Sequence, residues 1–184
     1  RVRVGLERAR QNARTLEDLR AAADQAISGV DQSLTIITAL LRIAEIEHSR
    51  RVDGFRTIDL RELVHEIGEL YEPIAEDKRV AFVAEAKEAL AVHGDRDLLF
   101  EAITNLVDNA VKFTPHGGRV EVALLRRADE AVIRITDSGP GICEGERELV
   151  GRRFYRADKS RCAPGVGLGL SLVNAIVKLH GFGF

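Results

Sequence analysis

The 184-residue sequence has only two cysteines, Cys143 and Cys162, which lie far apart and without CxxC spacing. This scarcity argues against a disulfide framework or a zinc site and fits a reducing compartment. Net charge is also small: the formal value of −2 gives no support for nucleic acid as a main partner. No apolar run approaches the length of a membrane span and no signal peptide is present, so we expect any membrane attachment to come only from upstream segments.

The first part of the sequence has the pattern of two helices. Residues 1–13 carry apolar residues at helical-seam spacing, and Thr15 with Asp18 predicts the start of a second helix that runs to about Ser49. The short link predicts an antiparallel hairpin, here assigned to a domain of residues 1–53. Because one stripe per helix cannot be buried by a hairpin alone, residues 1–49 predict a homodimeric four-helix bundle. Packing of the hairpin on the chain's own second domain is the alternative.

Residues 54–184 have an α+β pattern and are assigned to a second domain. Residues 50–57 predict a charged linker, and Asp59 predicts the N-cap of a helix from Leu60 to about Asp77. Short strands are expected at residues 80–84 and 91–93, and paired strands at 120–125 and 131–136. Residues 115–118 predict a turn, residues 144–150 a short helix, and Gly165 the start of a glycine-rich helix.

A helix ending near Phe113, with Asp95 as its expected N-cap, has two distinct sides. Its apolar stripe is predicted to contain Leu99, Ile103, Leu106, Ala110 and Phe113. The opposite side carries Glu101, Asn105, Asn109 and Lys112. A solvated polar face is the simplest interpretation, but asparagine is a poor interior helix former. Its amide can instead ligate a hard cation or donate to phosphate, and Lys112 adds positive charge, so this side predicts a magnesium–phosphate site.

Three later segments fit a nucleotide pocket, although each one alone is a weak signal. Asp137-Ser138-Gly139-Pro140-Gly141-Ile142 follows a strand, where glycines permit close approach to a flat ligand and the Asp137 carboxylate can accept a hydrogen bond from adenine. The glycine-rich stretch from Gly165 to Leu170 enters a helix whose N-terminus can hold phosphate, yet its spacing is not that of a P-loop. The loop between them carries Arg156, Lys159 and Arg161, which could reach phosphate from a lid.

Taken in order, these four segments resemble the N, G1, F and G2 boxes of bacterial sensor histidine kinases: NLVDNAVKF, DSGPGI, RFYRADKSR and GVGLGLSLV. The resemblance covers nearly the whole chain, and the preceding hairpin is similar to part of the kinase dimerisation and phosphotransfer domain. It implies a Bergerat (GHKL) α/β sandwich, a mixed sheet backed by helices, with ATP held between a helix and a lid.

The resemblance also implies roles for individual residues. Asn109 would be the magnesium ligand, Asn105 and Lys112 would meet the phosphates, and Phe113 would flank the nucleotide. Asp137 would bind the adenine amine. The remaining residues implied to contact ATP are those that shape the adenine pocket and those of the lid and its hinge: Gly139, Gly141, Ile142, Arg156, Lys159, Gly165, Gly167, Leu168, Gly169 and Leu170.

The implied reaction is transfer of the γ-phosphoryl of ATP to a histidine of the dimerisation domain, followed by relay to a response-regulator receiver domain. None of the five histidines has the acceptor context, so we expect the acceptor to lie upstream of Arg1. The resemblance also implies that the last strands of the domain follow Phe184. It further implies that the whole protein is anchored in the inner membrane, with this portion in the cytoplasm. A GHKL-type ATPase is one alternative, although Asn105 stands where such enzymes carry a glutamate. A degenerate dimeric scaffold is the other.

Overall fold

The computed structural model describes residues 4, 15–48, 54–156 and 166–184. Val4 is helical; the rest of the predicted first helix, the linker residues 50–53, and Lys159, Arg161 and Gly165 lie outside the described residues. The chain divides into two units, Arg1–Ala44 and Glu45–Phe184. The domain boundary predicted near residue 53 stays a prediction, since residues 49–53 are not described.

Helix α1 spans Leu16–His48. It begins with the predicted cap: the Thr15 hydroxyl accepts a hydrogen bond from the Asp18 amide at 3.1 Å, and the Asp18 carboxylate accepts one from the Thr15 amide at 3.0 Å. This reciprocal pair satisfies two donors that a helix start leaves unpaired. By length and composition α1 could cross a membrane, contrary to the expectation that no segment approaches such a span, although core helices of soluble proteins and signal sequences pass the same test.

Within residues 54–156 and 166–184, the second unit has two small sheets and three further helices. In chain order these are β1 (Arg56–Asp59), α2 (Leu60–Asp77), β2 (Ala81–Ala86), β3 (Ala91–Gly94), α3 (Arg96–Phe113), β4 (Arg119–Arg127), β5 (Glu130–Asp137) and α4 (Gly169–His180). The sheet β2-β4-β5 is mixed: β2 and β4 are parallel, and β4 and β5 are antiparallel. Helices α2 and α3 pack on this sheet and α4 packs on α3, which is the expected mixed sheet backed by helices.

The core of this unit lies between the helices and the sheet. Each helix turns one side inward, and complete burial of a large aliphatic side chain stabilises the fold by about 1.5–3 kcal/mol. Helix α3 departs from the prediction: Leu106 and Phe113 are only half-buried, whereas Val107 and Val111 are buried. The predicted stripe was therefore wrong at two of its five positions, because α3 contacts α2, α4 and the sheet and so buries a wider arc of its surface.

The predicted linker was wrong at its C-terminal end. Arg56 and Thr57 belong to β1, which pairs antiparallel with β3 through Arg56–Gly94 and Thr57–His93. Phe55, just before the strand, stacks on His180 with ring centroids 4.5 Å apart. These residues are therefore part of the folded second unit.

Most other predicted elements are present with shifted ends. Asp59 and Asp95 cap α2 and α3 as expected, through side-chain bonds to the amides of Arg61 and of Asp97 and Leu98. The predicted helix at residues 144–150 is reduced to one 3₁₀ turn, Glu144–Glu146, followed by turns. Helix α4 begins at Gly169 rather than at Gly165. Residues 166–168, which precede it, therefore belong to the loop and not to the helix.

Candidate nucleotide-binding site

The polar side of α3 is partly covered. Glu101, Asn105, Asn109 and Lys112 are all half-buried, whereas the neighbouring Asp108 is exposed. A purely solvated face would expose these four side chains in the way that it exposes Asp108. This side of α3 therefore lines a partly enclosed space.

The N-terminus of α4 closes one side of that space. A Cβ atom added at Gly169 would lie 3.0 Å from Asn105 Oδ1 and 3.7 Å from Asn109 Nδ2. The Asn105 amide nitrogen donates to the Glu101 carbonyl at 2.7 Å, which fixes the side chain against its own helix. The two asparagines thus face the positive end of α4, where free backbone amides and the helix dipole favour an anion.

The turn after β5 packs on the other end of α3. Asp137 Oδ1 accepts a hydrogen bond from the Gly139 amide at 2.8 Å. A Cβ atom at Gly139 would lie 3.0 Å from the Phe113 carbonyl oxygen, so this close approach requires glycine. Gly141 adopts a φ of +65°, which glycine accommodates without strain. Asp137 is exposed, and its second carboxylate oxygen can therefore accept a bond from a ligand beside Phe113.

Two hydrogen bonds, together with a close approach at Gly167, define the base of the predicted lid. The Phe154 amide donates to the Gly167 carbonyl at 2.9 Å, which joins the two sides of residues 157–165. Gly167 has a φ of +75°, and a Cβ atom there would lie 2.5 Å from the Tyr155 carbonyl oxygen. The Tyr155 hydroxyl is hydrogen-bonded to the Glu146 carboxylate at 3.0 Å. The base of the loop, next to Arg156, is therefore anchored.

Lys112 and Arg156 place positive charge at the same space. Partial burial lowers the pKa of Lys112; Asp108, one helical turn earlier, opposes this shift, and the charge of Arg156 adds to it. Two cations held near each other in a partly enclosed site disfavour each other and stabilise an anion that binds between them. The electrostatics of this space suit a phosphate group.

The structure thus brings two groups of the predicted site residues together. In the first group, Asn105 and Asn109 lie against Gly169, and the charge of Arg156 acts on Lys112 later in the same helix; in the second, Phe113 lies against Gly139 of the Asp137–Gly139 turn. Leu168 is buried, so its side chain packs in the core and any ligand contact would come from its backbone; Leu170 is half-buried and Ile142 is exposed beside Gly141. Lys159 and Gly165 lie outside the described residues.

Sequence reasoning missed two residues that interact with α3: Asp108, through its charge, and Lys78, through hydrogen bonds. Asp108 raises the pKa values of both Lys112 and Tyr71. Its spacing of four residues from Lys112 indicates in the sequence that the two charges are neighbours on one helix. Lys78 donates to the backbone of α3 from the residue that follows α2. No local pattern indicates that contact, because more than 30 residues separate the partners.

Comparison with known proteins agrees with this geometry. Residues 94–183 match the family of histidine kinase-, DNA gyrase B- and HSP90-like ATPases. The solved structure of a mycobacterial sensor histidine kinase, MprB, is 36% identical, with 69% of this chain and 80% of that chain covered and a TM-score of 0.59. This chain belongs to the sensor histidine kinase family. The α+β GHKL fold is confirmed with it.

Other relatives extend the similarity beyond the matched domain. The sensor protein IrlS of Burkholderia pseudomallei is 32% identical over 170 residues, which cover 91% of this chain and 36% of that protein. The histidine kinase ThkA, solved in complex with the response regulator protein TrrA, has a TM-score of 0.75 at 23% identity, with 99% of this chain and 51% of that chain covered, and shows the fold alone. The chain described here spans only 36–43% of the length of the first curated relatives that it matches.

Proposed function

We propose that this chain binds Mg²⁺–ATP between the polar side of α3 and the predicted lid, as the catalytic part of a protein histidine kinase. The observation that carries the proposal is the position of Asn105 and Asn109 directly against Gly169 at the start of α4. That space combines amide oxygens, backbone donors and the positive charge of Lys112. The Asp137 turn lies at the other end of the same helix, where the adenine would bind.

The donor set fits Mg²⁺ better than a softer metal. The described residues contain no cluster of three or more His, Cys, Asp or Glu side chains that could hold a metal ion by themselves. Mg²⁺ commonly takes one or two protein oxygens together with substrate phosphates and water. Asn109 would supply the protein oxygen, and the ion would neutralise phosphate charge when bound.

Phosphoryl transfer requires positioning and charge neutralisation more than covalent chemistry by the protein. Lys112 and Arg156 would offset phosphate charge, and the α4 N-terminus would orient the phosphates. Asn105 has no basic group that could activate water. This argues for transfer to a histidine of the dimerisation domain and against the alternative of a GHKL-type ATPase that transfers the phosphoryl to water.

The exposed side of α1 supports a homodimer through residues 1–49. Seven large apolar side chains of α1 are 48–65% exposed in the single chain: Leu16, Leu19, Ile27, Val30, Leu34, Ile37 and Leu41. A second copy would bury this stripe in a helical bundle. We further propose that the phosphorylated protein passes its phosphoryl group to a response-regulator receiver domain, a partner class that ThkA binds, and that this portion lies on the cytoplasmic side of a membrane-anchored protein.

ATP affinity of site variants tests the proposal. In the presence of Mg²⁺ we expect Asn109→Ala and Asp137→Ala each to weaken ATP binding by about 10- to 100-fold, because the first variant lacks the proposed magnesium ligand and the second lacks a hydrogen bond to a carboxylate. Asp129→Ala is the matched control, because Asp129 is exposed in the β4–β5 turn. The site assignment is wrong if both variants bind ATP as the wild type does. Loss of binding in the control variant as well would indicate misfolding.

A further inference from the structure

Lys78 occupies a rigid position at the end of α2. The Arg79 amide donates to the Glu76 carbonyl and the Val80 amide donates to the Ala75 carbonyl, each at 2.8 Å, and Arg79 has a φ of +57°. This is a Schellman motif that terminates the helix with a left-handed residue. The backbone at Lys78 is therefore held by these hydrogen bonds, independently of the contacts of its side chain.

The Lys78 ammonium bridges from α2 to the C-terminus of α3. Its Nζ atom donates to the carbonyl oxygens of Val111 and Lys112, each at 2.5 Å. Carbonyls of the last helical turn have no partner within their own helix, and the negative end of the helix dipole favours a cation there. Lys78 is half-buried, so water screens these charge-assisted bonds less than it would on an open surface.

The two carbonyls belong to the part of α3 that meets the proposed nucleotide. The Lys112 ammonium lies over the Phe113 ring, 5.2 Å from its centroid, and the Phe113 carbonyl lies against Gly139. The buried Thr114 holds the preceding carbonyl, because its hydroxyl donates to Ala110 at 2.7 Å. Lys78 and Thr114 together occupy the carbonyls of residues 110–112. The end of α3 thus has a defined position relative to the Asp137–Gly139 turn.

We propose that Lys78 is a positioning residue for ATP binding: it holds the last turn of α3 so that Lys112 and Phe113 face the nucleotide. This inference rests on the proposed function. Lys78 acts through the backbone of Lys112 and makes no contact with ATP itself. A residue that only capped α3 would change the stability of the fold and leave the affinity of the folded protein unaltered.

The test measures ATP affinity at a temperature well below the unfolding transition of every variant. We expect Lys78→Met to weaken binding by about tenfold and Lys78→Arg, which keeps a charged donor, to restore most of it. Lys87→Met is the matched control, since the Lys87 side chain is 86% exposed. If Lys78→Met does not fold, Lys78→Gln replaces it in the same comparison.

A double-mutant cycle then separates positioning from a general effect. In a Lys112→Ala background, the loss caused by Lys78→Met should shrink, because the side chain that Lys78 positions has been removed. An equal loss in both backgrounds would overturn the inference, as would unchanged ATP affinity in Lys78→Met with lowered stability alone. Failure of the wild type to bind ATP would instead overturn the proposed function on which the inference rests.

Discussion

Gly169 is the residue at which α4 meets the two asparagines of α3. The nearest atom to a Cβ at this position would be Asn105 Oδ1, at 3.0 Å. That separation is shorter than ordinary van der Waals contact, so a methyl group would push the asparagine side chain or the helix start away. At the scale of single residues, the absence of a side chain here preserves the space between α3 and α4.

Gly169→Ala should therefore separate stability from binding. The higher helix propensity of alanine opposes the cost of displacing the Asn105 side chain, so the free energy of unfolding should change by less than about 1 kcal/mol. ATP affinity should fall by about tenfold, because displacement of a binding group by less than an ångström is already costly. Calorimetric titration and chemical denaturation measure the two effects.

Gly145→Ala is the control for this substitution, since a Cβ at Gly145 would meet nothing within 4 Å. Its ATP affinity should match that of the wild type. Unchanged affinity in Gly169→Ala would mean that the Asn105 side of α3 does not hold the nucleotide.

Tyr71 is a second residue with a measurable signature. It is 7% exposed, and its hydroxyl donates to the Thr104 carbonyl at 3.1 Å. Burial, with a smaller contribution from the charge of Asp108, raises its pKa to about 12. Because the folded state favours the neutral phenol, the associated stability is fully present below the ordinary pKa, about 10, and is lost as the pH rises through about 12.

Ultraviolet titration of a Tyr155→Phe variant isolates Tyr71, since the sequence has only two tyrosines. We expect phenolate to form near pH 12, together with loss of the native circular dichroism. A midpoint near pH 10 in a protein that remains folded would contradict the burial of this side chain.

At the scale of elements, Asp95 caps the start of α3: its carboxylate accepts bonds from the amides of Asp97 and Leu98, each at 3.0 Å. Its backbone amide donates to His180 Nε2 at 3.0 Å, which links the start of α3 to the end of α4. A substitution of the side chain removes only the first set of bonds. The cap can therefore be tested without breaking the contact between the helices.

Asp95→Ala should lower the free energy of unfolding of the second unit by about 1 kcal/mol, the usual effect of losing an N-cap. Asp95→Asn should recover most of that loss, because asparagine caps helices about as well as aspartate does. Urea denaturation measures both variants, with Asp129→Ala as an exposed control. Equal stabilities for the alanine and asparagine variants would show that the cap bonds do not contribute.

Local signals explain which elements could be predicted. The caps at Thr15, Asp59 and Asp95 depend on residues two or three positions away, and all three were predicted correctly. Strand β1 was missed because its pairing partner, β3, lies more than 30 residues downstream. A four-residue strand whose neighbour is distant has no periodicity that distinguishes it from a linker.

The site residues were likewise predicted where the signal is local and missed where it depends on distant contacts. Asn105, Asn109, Lys112 and the glycines were found because they recur at short spacing within motifs. Leu106 and Phe113 were placed in the buried stripe because helical periodicity alone does not reveal how many neighbours α3 has. Lys78 and the Glu146–Tyr155 bond were not found, since each depends on tertiary contacts.

At the scale of the whole molecule, the exposed apolar side of α1 predicts association. Ile37 is 53% exposed, and in a symmetric dimer each copy would contribute one such side chain to the interface. Ile37→Glu should weaken dimerisation by more than about 100-fold, because it replaces two buried aliphatic groups with charges. Gln32→Glu is the control, because Gln32 is an exposed polar residue of α1; its mass in solution should equal that of the wild-type dimer.

Sedimentation equilibrium measures this effect, and calorimetry on the same samples should show unchanged ATP affinity, since the proposed site lies within the second unit. A wild-type chain that is monomeric at all accessible concentrations would contradict the proposed homodimer. So would an Ile37→Glu variant with the same mass as the wild type.

The most direct test of the central claim is calorimetric titration of ATP into the wild type and Asn109→Ala, each with Mg²⁺ and with EDTA. We predict that Mg²⁺ tightens ATP binding to the wild type and that this increment largely disappears in Asn109→Ala, while binding in EDTA changes little between the two proteins. An equal Mg²⁺ increment in both proteins would contradict the assignment of Asn109, and no ATP binding by the wild type would contradict the proposed function.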